Sequence, residues 1–289
     1  MPLLILANSE SLSRGFVEVI GQTLWLLLVL VAPFVVFTVL IHFLERLIQI
    51  RLASRFGWKS VLWTGWLGTP IHELSHVVLC KIFRHRIDEV ALFEPDLKSG
   101  RLGYVKHSWN PKNLFEEVGT FFIGLAPLAG GSMALAGLLV FFFPDSVSNM
   151  IEGAGIGEGS DLAEPRSVTN MVFGSVQSLL QDLLTFQNLI SWKFWLFTYL
   201  VLCVGSHMAP SRSDYEGASR GVWMVVLAMI ACLLLVSLGG FETDRLVHTM
   251  LRFLSPVFGL QVIAIVICAL ATAVVHILTA FFPERFDVA

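Results

Sequence analysis

The feature that most constrains the fold is a series of long apolar stretches. Five of them are almost free of charged residues and reach the length of about 20 residues that a helix needs to cross a bilayer. They cover residues 19–44, 118–144, 194–211, 221–241 and 253–283. A sixth stretch, residues 61–83, is also long enough but contains His72, Glu73 and His76. The pattern predicts an all-α membrane protein with about six transmembrane helices.

The composition agrees with a bilayer environment. Charged residues make up 14% of the 289 residues, whereas soluble domains contain about a quarter. Hydrophobic residues make up 55%. The net charge of −3 provides no basic surface, so we expect no nucleic-acid partner. These values favour a multi-pass protein of the cell membrane whose surface mostly contacts the lipid bilayer.

The distribution of Lys and Arg predicts the orientation in the membrane. Cytoplasmic loops are enriched in these residues, and with both termini in the cytoplasm the basic segment 81–112 lies inside. The acidic loop 145–186 then lies outside, as do the basic residues between 46 and 59, which oppose the rule. The balance favours cytoplasmic N- and C-termini.

Two connections have patterns of their own. Residues 87–109 contain two short alternating segments around a turn with Pro95, Asp96 and Gly100, which indicates a small cytoplasmic β-hairpin. An ordinary cytoplasmic loop is the alternative. Residues 168–190 repeat apolar side chains at helical spacing between polar ones, which predicts a helix lying in the membrane interface.

The sequence His72-Glu73-Leu74-Ser75-His76 is the strongest chemical signal. Residues four apart share one face of a helix, so both imidazoles can bind one metal ion. Glu73 lies about 100° round the helix from His72, near enough to reach a water on that ion. A zinc ion would acidify the water, and Glu73 could take its proton as a general base. The alternative is a polar cluster that hydrogen-bonds between helices, but such groups are costly in a membrane unless paired or metallated.

A catalytic zinc needs a third protein ligand, and two candidates end the fourth apolar stretch. Asp214 follows Pro210, which ends the helix and could let the chain turn back. His207 lies deeper in the stretch. Asp214 could instead be a loop carboxylate or a helix N-cap, and His207 an interhelical hydrogen-bonding residue. The pattern leaves both candidates open.

Three segments together resemble the site-2 protease family of intramembrane zinc metalloproteases. They are HELSH in the second apolar span, GLAPLAGG at residues 124–131, and residues 210–214. The resemblance implies a three-helix catalytic core in which His72 and His76 bind zinc, Glu73 is the base and Asp214 is the final ligand. The family usually has Gly directly after this Asp, whereas here Tyr215 and Glu216 separate it from Gly217.

The resemblance also implies an organisation and an activity. Residues 1–60 would form an N-terminal helix and loop, residues 61–217 the core, and residues 218–289 two further helices. No inserted PDZ-like domain is evident, so this would be a minimal member, and its compact size suggests a prokaryotic plasma membrane. The expected substrate is a transmembrane segment of another membrane protein. The competing hypothesis is a non-proteolytic metal-binding scaffold or transporter, which would not need Glu73.

Several other residues have patterns that indicate a structural role. The glycines and proline of the GLAPLAGG segment predict either close helix approach or a local break. The four cysteines, which include Cys80, are interpreted as small apolar residues of membrane helices. His85 and His107 are assigned to the basic loop without a role. His42 and His276 are interpreted as single core histidines.

Overall fold

The computed structural model describes residues 2–96, 100–156, 168–238 and 243–281. The chain is mostly helical, which confirms the predicted all-α class. The elements are α1 (Pro2–Phe56), a 3₁₀ turn (Trp58–Val61), α2 (Leu62–Ile82), β1 (Arg86–Ala91), β2 (Tyr104–Ser108), α3 (Leu114–Gly124), α4 (Ala126–Phe142), α5 (Pro144–Gly153), α6 (Val168–Leu183), α7 (Phe186–Leu189), α8 (Trp192–Gly205), α9 (Arg212–Leu238) and α10 (Thr243–Thr279). In α1 many side chains before residue 35 lie outside the described part.

The helices that position the site pack around one apolar core. Helices α2, α4 and α8 contact one another, α3 packs along α9, and α10 contacts α1, α6 and α8. Leu135, Leu139, Phe197 and Val201 are among the buried side chains of this core. Burial of such side chains stabilises each by about 1.5–3 kcal/mol where water is the alternative, so the core fixes how α4 and α8 sit against α2.

Glycines allow the closest helix contacts. A Cβ on Gly68 of α2 would lie 2.2 Å from the carbonyl oxygen of Cys203 in α8. A Cβ on Gly130 of α4 would lie 2.7 Å from the Cβ of Ser75 in α2. Any larger side chain would force these helices apart, so the close approach predicted for the GLAPLAGG segment is confirmed.

The same segment also contains a break. Helix α3 ends at Gly124, α4 begins at Ala126, and the two are bent by 56°. Pro127 lies in the first turn of α4, where its missing N–H costs no hydrogen bond. The glycine-rich segment therefore provides both of the features that its sequence allowed.

The prediction of six transmembrane helices is not reproduced in the described residues. By length and composition, α10 qualifies over Thr249–Thr279, and the bent pair of α3 and α4 qualifies if it counts as one span. This agrees with the predicted stretches 253–283 and 118–144. The stretch 194–211 contains only the 14-residue helix α8, because the chain leaves the helix after Gly205 and runs toward Pro210. The sixth predicted stretch forms helix α2, as expected, but this helix is too polar to qualify as a membrane span.

Two predicted stretches fall partly outside the described residues. Residues 19–44 lie within α1, where part of the side chains is not described, and residues 221–241 extend past residue 238. The described part of the second stretch contains the short apolar helix Gly221–Cys232. Both spans remain predictions.

The predictions for the two connections are confirmed at the level of secondary structure. Strands β1 and β2 pair antiparallel, with Arg86 opposite Ser108 and Ala91 opposite Tyr104, and the register shifts between Ile87 and Glu89. The predicted helix at 168–190 corresponds to α6 and α7. Helix α6 packs against α5 and α10, so it has protein on one side; its location in a membrane interface remains a prediction.

Candidate metal centre

Helix α2 presents the two histidines of the HELSH motif on one face. The Nε2 atoms of His72 and His76 lie 3.3 Å apart, as the i, i+4 spacing predicts. His76 is buried and His72 is half-buried. The opposite face of α2 exposes Leu74, Val78 and Ile82, so the polar residues point toward the protein and the apolar ones away from it.

Asp214 approaches both histidines from the first turn of α9. Its Oδ1 lies 3.3 Å from Nε2 of His76, and its Oδ2 lies 3.5 Å from Nε2 of His72. The Ser211 backbone N–H and hydroxyl donate to Oδ2 at 2.6 and 2.7 Å. Ser211 and Asp214 thus form a capping box at the start of α9. Asp214 therefore caps the helix and faces the histidines at the same time.

The side chain of His207 lies outside this group. Its Nδ1 is 3.2 Å from the carbonyl oxygen of Cys203, and its buried Nε2 makes no hydrogen bond among the described residues. Its backbone carbonyl, however, accepts a hydrogen bond of 2.8 Å from Nδ1 of His72. Of the two candidates for the third ligand, the structure brings Asp214 to the histidines, and His207 contributes through its backbone.

Two backbone carbonyls fix the protonation of the histidine pair. His72 donates to the His207 carbonyl, and Nδ1 of His76 lies 2.9 Å from the carbonyl of Ile123. A carbonyl oxygen can only accept, so each Nδ1 must carry the proton and each neutral ring has a lone pair on Nε2. Two lone pairs and the Asp214 carboxylate then face one another, and one cation among them would satisfy all three.

The donor set fits a zinc ion. Zinc–nitrogen and zinc–oxygen bonds of about 2.0–2.1 Å at tetrahedral angles place donor atoms about 3.3 Å apart. The distances among His72, His76 and Asp214 are 3.3–3.5 Å. Carbonyl groups that orient the ligand imidazoles are the usual second layer of such sites. If all three residues bound one zinc ion, a fourth position would stay open, as in catalytic zinc sites.

Glu73 lies beside this group in the wall of a cavity. The cavity has a volume of about 320 Å³ and is lined by residues that include His72, Glu73 and His207. The loop after β1 covers it, since a Cβ on Gly103 would lie 2.9 Å from Cγ of Glu73. Glu73 itself is buried. A polar group entering the cavity would therefore meet the Glu73 carboxylate and His72 together.

A second cavity reaches the same centre from another face. Its volume is about 340 Å³, and its lining includes Asp214, Gly124, Lys106 and His107. Strand β2 borders this cavity, whereas Gly100, Leu102 and Gly103 border the first. The hairpin therefore lies against both approaches to the ligands.

The structure also assembles a group that the sequence analysis did not recognise. The ligand atoms of Cys80, His85 and His107 all lie within 4.8 Å of one another. Burial and the neighbouring His85 lower the pKa of His107 to about 4, so its imidazole is neutral near neutral pH. One signal was available in the sequence, because Cys80 follows His76 by four residues and shares its helix face.

Comparison with protein-family models, with curated proteins and with solved structures finds no match.

Proposed function

We propose that this protein is an intramembrane zinc metallopeptidase that resembles the site-2 protease family. The observation that carries the proposal is the meeting of His72, His76 and Asp214, with bare Nε2 atoms and a carboxylate at zinc-ligand spacing. Glu73 lies next to His72 in the sequence and in the same cavity wall. Together they supply three ligands and one base.

The residues divide the chemical work. When bound, the zinc supplies Lewis acidity that lowers the pKa of a water toward about 7. The carboxylate of Glu73 accepts the proton of that water as it attacks the peptide carbonyl. Glu73 then returns the proton to the leaving amine. The carbonyls of His207 and Ile123 hold the two imidazoles in the required tautomer throughout.

The surface of the described helices supports a membrane location beyond α10. Leu74, Val78 and Ile82 form an exposed apolar row on α2, although α2 buries polar ligands on its other face. Helices α4 and α8 also expose large apolar side chains, among them Phe141 and Trp195. Extended exposed apolar surfaces are rare on soluble monomers. A multi-pass arrangement in the cell membrane accounts for them; the cytoplasmic location of the termini that we propose rests on the distribution of Lys and Arg.

The substrate that we propose is a transmembrane segment of another membrane protein. A helical substrate hides its carbonyls in i→i−4 hydrogen bonds and must unwind before attack. The β1–β2 hairpin borders both cavities and has free strand edges among the described residues, so an unwound segment could pair with it as an added strand. This would hold a peptide carbonyl extended near Glu73.

The competing function is a non-proteolytic metal scaffold or transporter. Metal binding alone does not need a buried carboxylate between the two ligand histidines, whereas peptide hydrolysis does. A transporter also needs polar residues through several spans. The position of Glu73 therefore favours hydrolysis.

The experiment compares wild type with Glu73→Gln, which removes the base but keeps the shape. Each protein is produced in host membranes at equal abundance, and new protein N-termini are quantified by mass spectrometry. We expect termini within or next to transmembrane segments in wild type, reduced at least 100-fold in the variant, since a general base contributes about 10²–10⁴-fold. Equal sets of termini from two zinc-loaded proteins would contradict the proposal.

A further inference from the structure

A second group of metal-ligating side chains lies at the junction of α2 and the hairpin. Cys80 is in the last turn of α2, His85 directly precedes β1, and His107 is in β2. Cys80 and His85 line neither of the two cavities, His107 borders only the second one, and the proposed hydrolysis uses none of the three. Their ligand atoms nevertheless lie within 4.8 Å of one another.

The end of α2 turns back so that His85 approaches Cys80. The N–H of His85 donates to the Cys80 carbonyl at 2.8 Å, and the N–H of Arg84 donates to the Lys81 carbonyl at 3.3 Å. These are the two bonds of a Schellman motif, which places one residue in the left-handed region. That residue is Arg84, with φ 61°, where glycine is usual. The chain thus adopts a strained turn at the point that brings the two side chains together.

The protonation of His85 leaves a lone pair inside the group. Its Nε2 lies 2.8 Å from the carbonyl of Glu116 and must therefore carry a proton. Its Nδ1 is then a bare acceptor in the neutral ring, 3.0 Å from Nδ1 of His107. The indole of Trp109 stacks on His85 at 5.6 Å between ring centroids and fixes the plane of the imidazole.

Cys80 adds a sulfur ligand to these two nitrogens. Its side chain is fully buried and forms no disulfide. A thiolate with two imidazoles is a ligand set that suits zinc. His107 also lines the second cavity, so a water can occupy the fourth position.

We propose that Cys80, His85 and His107 bind a second Zn²⁺ ion, with a water as its fourth ligand, and that this ion holds the hairpin to α2 one helical turn beyond His76. When the ion binds, the Nδ1 proton of His107 moves to Nε2 of the same ring and the thiol proton of Cys80 is released to solvent, which leaves both Nδ1 atoms and the thiolate as ligands. The inference concerns different ligands from the catalytic centre and does not depend on the proposed peptidase activity.

The test uses the full chain in detergent, with zinc counted by elemental analysis and Co²⁺ substituted in a parallel sample. The catalytic group has no sulfur ligand, so a near-ultraviolet thiolate-to-Co²⁺ charge-transfer band reports only the second site. The variants are Cys80→Ser and His107→Gln. The matched control is Cys268→Ser, which changes another buried cysteine.

We expect about two zinc equivalents and the band in wild type and in the control variant. Each of Cys80→Ser and His107→Gln should hold about one equivalent and lose the band. If wild type holds about one zinc equivalent without the band, and His76→Ala loses that equivalent, the second site is overturned and the first is kept. A band that persists in Cys80→Ser would also overturn it. If wild type instead holds about one zinc equivalent with the band, and His76→Ala retains both, the catalytic centre is overturned.

Discussion

The Nε2 atoms of His72 and His76 face each other at 3.3 Å, and the Nδ1 atom of each ring donates to a backbone carbonyl. Neither Nε2 can then donate to the other while the rings are neutral. The nearest additional charge is the Asp214 carboxylate, within 3.5 Å of both. Three acceptors in a half-buried setting attract a cation strongly, because a low dielectric raises the cost of leaving them unpaired.

The hydroxyl of Ser211 orients the third ligand and provides the first prediction. Ser211→Ala removes one of the two hydrogen bonds to Oδ2 of Asp214. Loss of such an orienting group typically weakens metal binding by about 10–100-fold. We expect the loss of zinc affinity to lie near the lower end of this range, because the backbone N–H of Ser211 still donates to Asp214. Zinc affinity is measured by competition with a chromophoric chelator.

The neighbouring Ser213 provides the control. Its hydroxyl contacts Ser211 at 2.9 Å and makes no direct hydrogen bond to Asp214 among the described residues. Ser213→Ala should therefore bind zinc about as tightly as wild type. Equal affinities in all three proteins would show that the capping box does not orient the ligand.

Helix α3 positions α9, and Gly124 is the contact point. A Cβ on Gly124 would lie 2.4 Å from the carbonyl oxygen of Asp214 and 2.7 Å from Cβ of Ala218. Gly124→Ala must displace the first turns of α9, at a cost of about 1–3 kcal/mol. We expect a lower thermal unfolding temperature together with weaker zinc binding, measured in one detergent.

Gly137 offers the matched control in α4. A Cβ there meets no atom within 4 Å in the part of the chain that the structure describes, and alanine favours a helix interior over glycine by up to about 1 kcal/mol. Gly137→Ala should leave zinc affinity unchanged and stability equal or higher. If Gly124→Ala bound zinc like the control, α3 would have no part in placing Asp214.

The hairpin edge provides a prediction about the substrate. Val90 in β1 is exposed and lies opposite Val105. Val90→Pro removes a backbone N–H from β1 and so disfavours strand pairing at this position. We expect cleavage of transmembrane segments to fall at least tenfold while zinc content stays the same. The readout is the yield of new N-termini in host membranes.

Val90→Thr is the control for this experiment, because threonine keeps the N–H and suits a strand. It should cleave at nearly the wild-type rate. Undiminished cleavage by the proline variant would exclude strand addition as the way in which the substrate is held.

Local sequence signals predicted the elements whose structure depends on near neighbours. The histidine pair follows from the i, i+4 geometry of α2, and the hairpin follows from alternation around the turn at Pro95 and Gly100. The observed register of the hairpin pairs Arg86 with Ser108 and shifts after Ile87. These features need only contacts between residues that are close in the chain.

Features that depend on distant contacts were missed or left open. The bend after Gly124 and the early end of α8 reflect how the helices pack, and apolar composition alone predicted continuous spans. Asp214 and His207 were equal candidates until the capping box with Ser211 and the contact with Cys203 separated them. Cys80 and His107 meet only because the hairpin folds back on α2.

Zinc content per chain, measured in wild type, His76→Ala, Asp214→Ala and Glu73→Gln, decides whether the metal centre exists. We predict that each ligand variant holds about one equivalent less than wild type, because three ligands are needed, and that Glu73→Gln holds the same amount as wild type. Because the result is a difference, the second metal site does not affect it. Ligand variants with the wild-type zinc content would contradict a metal centre built on His76 and Asp214.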